Sequence, residues 1–220
     1  METVFVTGGT GYIGRSLIAA LLARGHAVFA LARSASLKKL PAGVVPVIGD
    51  ALEASSYAAS VPPGATLVHL IGTPHPGPGK ADEFRRVDLE SVRAATAAAL
   101  SAGVRHFVYL SVAQPAPVMQ AYVAVRAEGE ALVRASGIPA TVLRPWYVLG
   151  PGHRWPYALL PAYALARMLP STRDSAERLG LVHLRDMVAA LVAAIESPPA
   201  SGVRIVGVPE IRREAQRARA

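Results

Sequence analysis

TGGTGYIG, residues 7–14, decides how the rest of this chain is read. Glycines at 8, 11 and 14 leave a turn almost bare of side chains, so its backbone is open to close approach. VFVT (4–7), just before it, is an apolar run of strand length. After it, Tyr12 to Arg24 sets Ile13, Leu17, Ile18, Leu21 and Leu22 on one face at helical spacing, and Gly25 supplies the stop. A strand, a glycine turn and a helix in succession bring backbone N–H groups and a helix N-terminus to one point. Both favour a pyrophosphate, which needs donors and partial positive charge at short range. Gly8 permits the tight turn, Gly11 the close approach and Gly14 the packing of helix on strand. The expected dinucleotide cradle is Gly8, Thr10, Gly11, Tyr12, Ile13 and Gly14.

Further along, the same alternation continues. HAVFALAR (26–33), VVPVIGD (44–50), ATLVHLIG (65–72), VRHFVYLS (104–111), PATVLRP (139–145) and VRIVGV (203–208) read as strands, with helices at 51–60, 82–102, 118–136 and 185–196. Strands this uniformly apolar are buried on both faces, which belongs to a parallel sheet covered by helices. The expected class is α/β, a Rossmann-like doubly wound parallel sheet. One domain spans 1–210, with a small substrate-side insertion at 146–182, and a basic tail follows at 211–220.

Composition excludes several classes. With 220 residues, 52% of them hydrophobic, the chain can bury one full core. It has no cysteine, which removes disulfides, zinc thiolates and cysteine nucleophiles together. No secretory signal and no membrane span are expected, so the expected location is cytoplasmic. The net charge of +8 rests on arginine, 20 of the 23 basic residues, spread through an alanine-rich chain with no groove-entering motif. Nucleic-acid binding is not expected. The six histidines show no metal-ligand spacing, and no G-x-S-x-G elbow is present.

About 20 residues beyond the last glycine, an acid would hold the adenosine ribose of NAD, whereas an arginine would accommodate the 2′-phosphate of NADP. This chain has Arg33 and Ser34 there, with Lys38 near, so NADP is expected over NAD.

With these residues in view, the sequence resembles the short-chain dehydrogenase/reductase superfamily, in its atypical and extended branch of NAD(P)-binding, epimerase-like, NmrA-like and complex I subunit-like proteins. TGGTGYIG, Gly49-Asp50, FRRVDLESVRAATAAALSAGVRHFVYLS (84–111), AYVAVRAEGEALVRASGIPATVLRP (121–145) and VHLRDMVAAL (182–191) carry the resemblance. It implies that Asp50 meets the adenine amino group and that the segment Leu70, Ile71, Gly72 and Thr73 runs beneath the adenosine and nicotinamide riboses. It also implies a catalytic tyrosine with a lysine four residues on, and a hydroxyl that orients the substrate oxygen. Tyr122 matches the tyrosine, Arg126 stands at the lysine position, and Ser111 is the candidate hydroxyl. In many relatives that hydroxyl lies two positions further on, where this chain has Ala113. Tyr122 is equally readable as a packed helix residue, Glu130 reads as structural, and no role is carried to Asp88.

Between Trp146 and Tyr163 lie five of the nine Trp and Tyr residues, Trp146, Tyr147, Trp155, Tyr157 and Tyr163. They suit an apolar or aromatic substrate pocket, or equally helix packing or a subunit interface in an oligomer. Two functions stay open. One is an NADP(H)-dependent reductase of a small carbonyl or quinone; the other is a dinucleotide-loaded redox sensor or assembly factor without turnover.

Overall fold

The computed structural model describes residues 1–74, 76–77, 79–151 and 170–217. Its strands are β1 Thr3–Thr7, β2 Ala27–Ala32, β3 Val45–Ile48, β4 Thr66–His69, β5 His106–Leu110, β6 Ala140–Arg144, β7 Tyr147–Leu149, β8 Leu181–His183 and β9 Val203–Gly207. Seven of them form one sheet in the order β3-β2-β1-β4-β5-β6-β9, and every pair in it is parallel. β7 and β8 make a separate two-stranded parallel sheet.

The uniform apolarity of the strands has its cause in two cores, one on each face of the sheet. Successive side chains of a strand point to opposite faces. Val4 and Val6 pack with Leu17 and Ile18 of helix α1 (Tyr12–Ala23) and with Met187 and Leu191 of a late helix. Phe5, between them, joins the opposite cluster and stacks on Tyr57 with ring centroids 6.0 Å apart. The same division sends Val68, Val108 and Leu143 to one side and Leu67, Phe107 and Val142 to the other. Burying each such side chain contributes about 1.5–3 kcal/mol.

Among the described residues, the other α-helices are α2 Ala81–Glu83, α3 Glu90–Ala102, α4 Gln120–Ala135, α5 Pro170–Arg178, α6 Leu184–Glu196 and α7 Val208–Arg217. Three stretches differ from the sequence expectation. The helix expected at 51–60 is two 3-10 turns, Ala54–Ser56 and Ala58–Ser60. Side chains compete with helix formation there: Asp50 Oδ1 accepts the Leu52 N–H at 2.9 Å, and Ser56 Oγ donates to the Glu53 carbonyl at 2.7 Å. The helix expected at 82–102 contains a π-helical segment, Phe84–Leu89, between α2 and α3. The expected basic tail is largely helix α7. Val208, Ile211 and Ala215 are buried on one face, while Arg213 and Arg217 on the other pair with Glu210 and Glu214. Within 146–182, β7, β8 and α5 are elements the sequence reading did not name.

This topology places a site. The chain builds outward from β1 to β3, then crosses back to β4 on the other side of β1, so a crevice opens beyond the C-terminal ends of β1 and β4.

Candidate functional site: a dinucleotide cradle and the tyrosine helix beside it

A cavity of about 540 Å³ fills that crevice. Gly8, Thr10 and Gly11 from the turn after β1 line it, as do Leu70, Ile71 and Gly72 after β4. Gly8 has φ +78°, a left-handed conformation, and a Cβ there would lie 3.0 Å from the Leu70 carbonyl carbon. Gly11 donates its N–H to the Gly8 carbonyl at 3.0 Å and stands at the N-cap of α1. A Cβ on Gly14 would collide with the Gly8 carbonyl oxygen, so only glycine lets α1 start this close to β1. A pyrophosphate fits this bare cradle, with the N-terminal end of α1 toward it.

Tyr12, Ile13 and Gly14 form the first turn of α1 but do not line the cavity. Arg33 and Asp50 do line it, at the ends of β2 and β3. Ser36, in the 3-10 helix Ser34–Lys39, lines it where Ser34 was expected. The Arg33 guanidinium is exposed and makes no ion pair among the described residues.

The expected catalytic residues lie on and around α4, which begins beyond the C-terminal end of β5. Tyr122 is half-buried and packs against Phe84 with ring centroids 5.1 Å apart. A smaller cavity of about 220 Å³ lies at this pair, also lined by Met119 and Ala121. Met119, just before α4, holds φ +57°, which costs a non-glycine residue of order 1 kcal/mol and is found where surrounding structure imposes it.

Arg126 is buried; its two terminal nitrogens are engaged, whereas Nε has no hydrogen-bond partner among the described residues. Nη2 lies 2.7 Å from Asp88 Oδ1, and Nη1 donates to the Leu110 carbonyl at 2.9 Å. Its guanidinium carbon sits 5.2 Å from the Tyr122 ring centroid. Burial opposes this charge, but Tyr122, Tyr109 and Asp88 around it more than compensate, and its pKa is raised. Asp88 Oδ2 accepts from the Thr73 N–H at 2.8 Å and from Thr73 Oγ1 at 2.6 Å. Gly72 makes room for this arrangement, because a Cβ there would collide with Arg126 Nη2.

Ser111 is buried, and its hydroxyl donates to Glu130 Oε1 at 2.5 Å. The Glu130 carboxylate, itself buried, also accepts from Gln114 Nε2 at 2.7 Å and from Arg144 Nε at 2.9 Å and Nη2 at 2.5 Å. Ala113 packs with Val112, Ala116, Val123 and Leu179 in a small apolar cluster that Tyr122 and Trp146 touch. Trp146 and Tyr147 meet edge to face at 5.6 Å. Trp155, Tyr157 and Tyr163, the rest of the expected aromatic cluster, lie outside the described residues.

Beneath the cavity, His69 at the end of β4 joins two elements. Ser91 Oγ donates to the Asp88 carbonyl at 3.0 Å, so its 3.2 Å contact with His69 Nε2 requires the imidazole to donate. Nδ1 is then the acceptor and takes the Thr7 hydroxyl at 2.8 Å. Burial, and then the Arg126 charge, push the His69 pKa down to about 3, which keeps the ring neutral.

Sequence reasoning missed the part that Asp88 and Glu130 take in the site, whereas Thr73 ends the segment expected beneath the riboses. A signal for the first was present. An arginine on the inner face of a helix requires a carboxylate nearby, since an unpaired buried charge costs several kcal/mol.

A family profile described as NAD(P)H-binding matches residues 8–160. The chain belongs to this NAD(P)H-binding family. It is 30% identical over 218 residues to the ceramide reductase of Caulobacter vibrioides, covering 96% of this chain and 65% of that protein. It is 34% identical over 223 residues to the 3-diazoavenalumate denitrifying reductase of a Streptomyces species, covering 88% of this chain and 72% of that one. In fold it is similar to a short-chain dehydrogenase/reductase superfamily protein from Agrobacterium tumefaciens solved with bound NAD. That match has a TM-score of 0.67 at 21% identity and covers 94% of this chain and 77% of the other. The chain thus shares the Rossmann-like fold of that protein, and reductases are among its relatives. Among its described residues, no helix is long and apolar enough to cross a membrane, and no group of histidine and acidic side chains could hold a metal ion.

Proposed function

We propose that this protein is an NADP(H)-dependent reductase of a small carbonyl or quinone compound, with Tyr122 as its proton donor. One juxtaposition carries the reading. The helix bearing Tyr122 meets the glycine-lined cavity through Arg126, whose Nη2 occupies the space beside Gly72. When bound, the dinucleotide supplies the hydride. The chain's residues do the rest. The first turn of α1 holds the pyrophosphate, Arg33 takes the 2′-phosphate, Asp50 meets the adenine, and Leu70 to Gly72 run beneath the riboses. Tyr122 delivers a proton to the substrate oxygen as hydride arrives at carbon, with the Arg126 charge at hand as phenolate character develops. The small cavity at Phe84, Met119 and Tyr122 suits an apolar or aromatic group. The reductase relatives support this class of reaction.

A second reading is favoured by a different observation. The Ser111 hydroxyl is committed to Glu130, Arg126 to Asp88 and Leu110, and position 113 is a buried alanine. Such a centre suits a protein that carries the dinucleotide without turnover, as a redox sensor or an assembly factor.

NADPH oxidation against a panel of quinones and aldehydes separates the two, with Tyr122→Phe beside the native protein. The reductase reading expects turnover that falls about a hundredfold or more in the phenylalanine variant. NADPH binding with no turnover across the panel would favour the second.

A further inference from the structure

Asp88 and Arg126 differ from an ordinary ion pair in what they join. Thr73 directly follows Gly72 of the cavity lining, and both its N–H and its hydroxyl end on Asp88 Oδ2. Asp88 belongs to the π-helical segment, which also supplies Phe84 to the Tyr122 ring. Oδ1 of the same carboxylate meets Arg126, four residues after Tyr122 on α4. Arg126 then continues to the Leu110 carbonyl at the end of β5. Both side chains are shielded from solvent, at 0% exposure for Asp88 and 4% for Arg126. The set therefore spans from the floor of the cavity, through the π-helical segment and the tyrosine helix, to β5.

Resting on the dinucleotide-binding reading above, we infer that Asp88 and Arg126 act as one positioning unit that fixes the Gly72–Thr73 floor of the cofactor cavity to the helix carrying Tyr122. Charge balance and positioning are separate properties of this unit. The first requires only that the two formal charges cancel. The second requires the hydrogen bonds from Thr73 to Asp88 and from Arg126 to Leu110, joined by the 2.7 Å ion contact of Asp88 Oδ1 with Arg126 Nη2. Asparagine at 88 can still accept from Thr73 but leaves a permanent guanidinium charge without its counterion. Methionine at 126 removes that charge and fills similar space, yet donates to neither residue 88 nor Leu110.

The test compares the native protein, Asp88→Asn, Arg126→Met and the double variant. Melting temperature without cofactor is measured, together with NADPH affinity by fluorescence titration, at a temperature where circular dichroism shows each protein folded. Asp88→Asn is expected to lower the melting temperature most, and the double variant to recover much of that loss. NADPH affinity is expected to fall about tenfold or more in the double variant despite its recovered stability. If Asp88→Asn fails to fold, the charge-balanced double variant against native protein still decides. A double variant that binds NADPH as tightly as the native protein makes the pair a stability element and overturns the inference. A double variant less stable than Asp88→Asn overturns it as well, since the charges would not then be coupled. Failure of the underlying dinucleotide reading shows elsewhere, in a native protein that binds no NADPH before any substitution is made.

Discussion

At the scale of single residues, two side chains have opposite relations to solvent, and each yields a prediction. Arg33 is exposed, lines the cavity and has no acidic partner among the described residues, so its charge is available to a ligand. Arg33→Ala is expected to weaken NADPH by about tenfold or more while changing NADH little, as a lost charge-assisted contact to phosphate would. Equal weakening of both coenzymes in titrations would remove the 2′-phosphate role. His69 is the reverse case, sealed in and held neutral with a pKa near 3. An unfolded chain protonates this histidine below about pH 6.5, whereas the folded chain does not until far lower pH. The unfolded state therefore binds more protons across that window, and stability falls as pH drops from about 6.5, by about 1.4 kcal/mol per pH unit for one such group. His106, pushed down to about 4 by burial and then by Arg204 and Arg105, adds in the same direction. Urea unfolding between about pH 5 and 7 should show this slope, shallower in His69→Gln. An unchanged slope in that variant would contradict the neutral, buried state assigned to His69.

At the scale of elements, legibility in the sequence follows from how local each cause is. The turn at Gly8–Gly14 and the helix behind it were legible because glycine placement and helical spacing lie within one short window. The central strands were legible because burial on both faces leaves an unbroken apolar run. The 3-10 turns at 54–60 were not, since Ser56 and Asp50 redirect the backbone through side-chain hydrogen bonds that compete with a plausible helix. Helix α7 was hidden by its arginines: only Val208, Ile211 and Ala215 face inward, a stripe too narrow to outweigh the basic composition. That stripe can be tested. Ile211 is fully buried in the cluster shared with α6, so Ile211→Ala is expected to cost about 2–4 kcal/mol in chemical denaturation. Arg213→Ala, on the exposed face, should change stability by about 0.5 kcal/mol or less. A loss for Ile211→Ala no larger than that for Arg213→Ala would mean that α7 does not pack on the core.

At the scale of the whole molecule, the sheet order places the cradle, the cavity and the tyrosine helix together at one end. The fold class and the tight glycine turn after β1 were legible because alternation and glycines encode them directly. The pairing of Asp88 with Arg126, and of Glu130 with Ser111 and Arg144, was not. Those contacts join separate elements, and nothing in the local sequence specifies which acid meets which base. Since the cavity walls come from both sides of β1, a bound dinucleotide would add contacts between elements on either side of that strand. Binding to the folded state alone stabilises it, by about 2.7 kcal/mol at a hundredfold excess over the dissociation constant. NADPH should therefore raise the melting temperature in a concentration-dependent way, and a melting curve indifferent to it would argue against a site formed only on folding.

The π-helical turn at Phe84–Leu89 carries one more implication. A wider turn of this kind is the footprint of a single extra residue in an otherwise regular helix, and each residue in a regular helix rotates the following side chains by about 100°. Shortening the chain by one amino acid within this stretch would let the coil tighten into ordinary geometry. Whatever lies upstream would then swing around the axis relative to Asp88 and Ser91, carrying Phe84 away from Tyr122. The surplus residue thus acts as an angular spacer, which lets one continuous rod present an aromatic wall in one direction and its polar anchors in another.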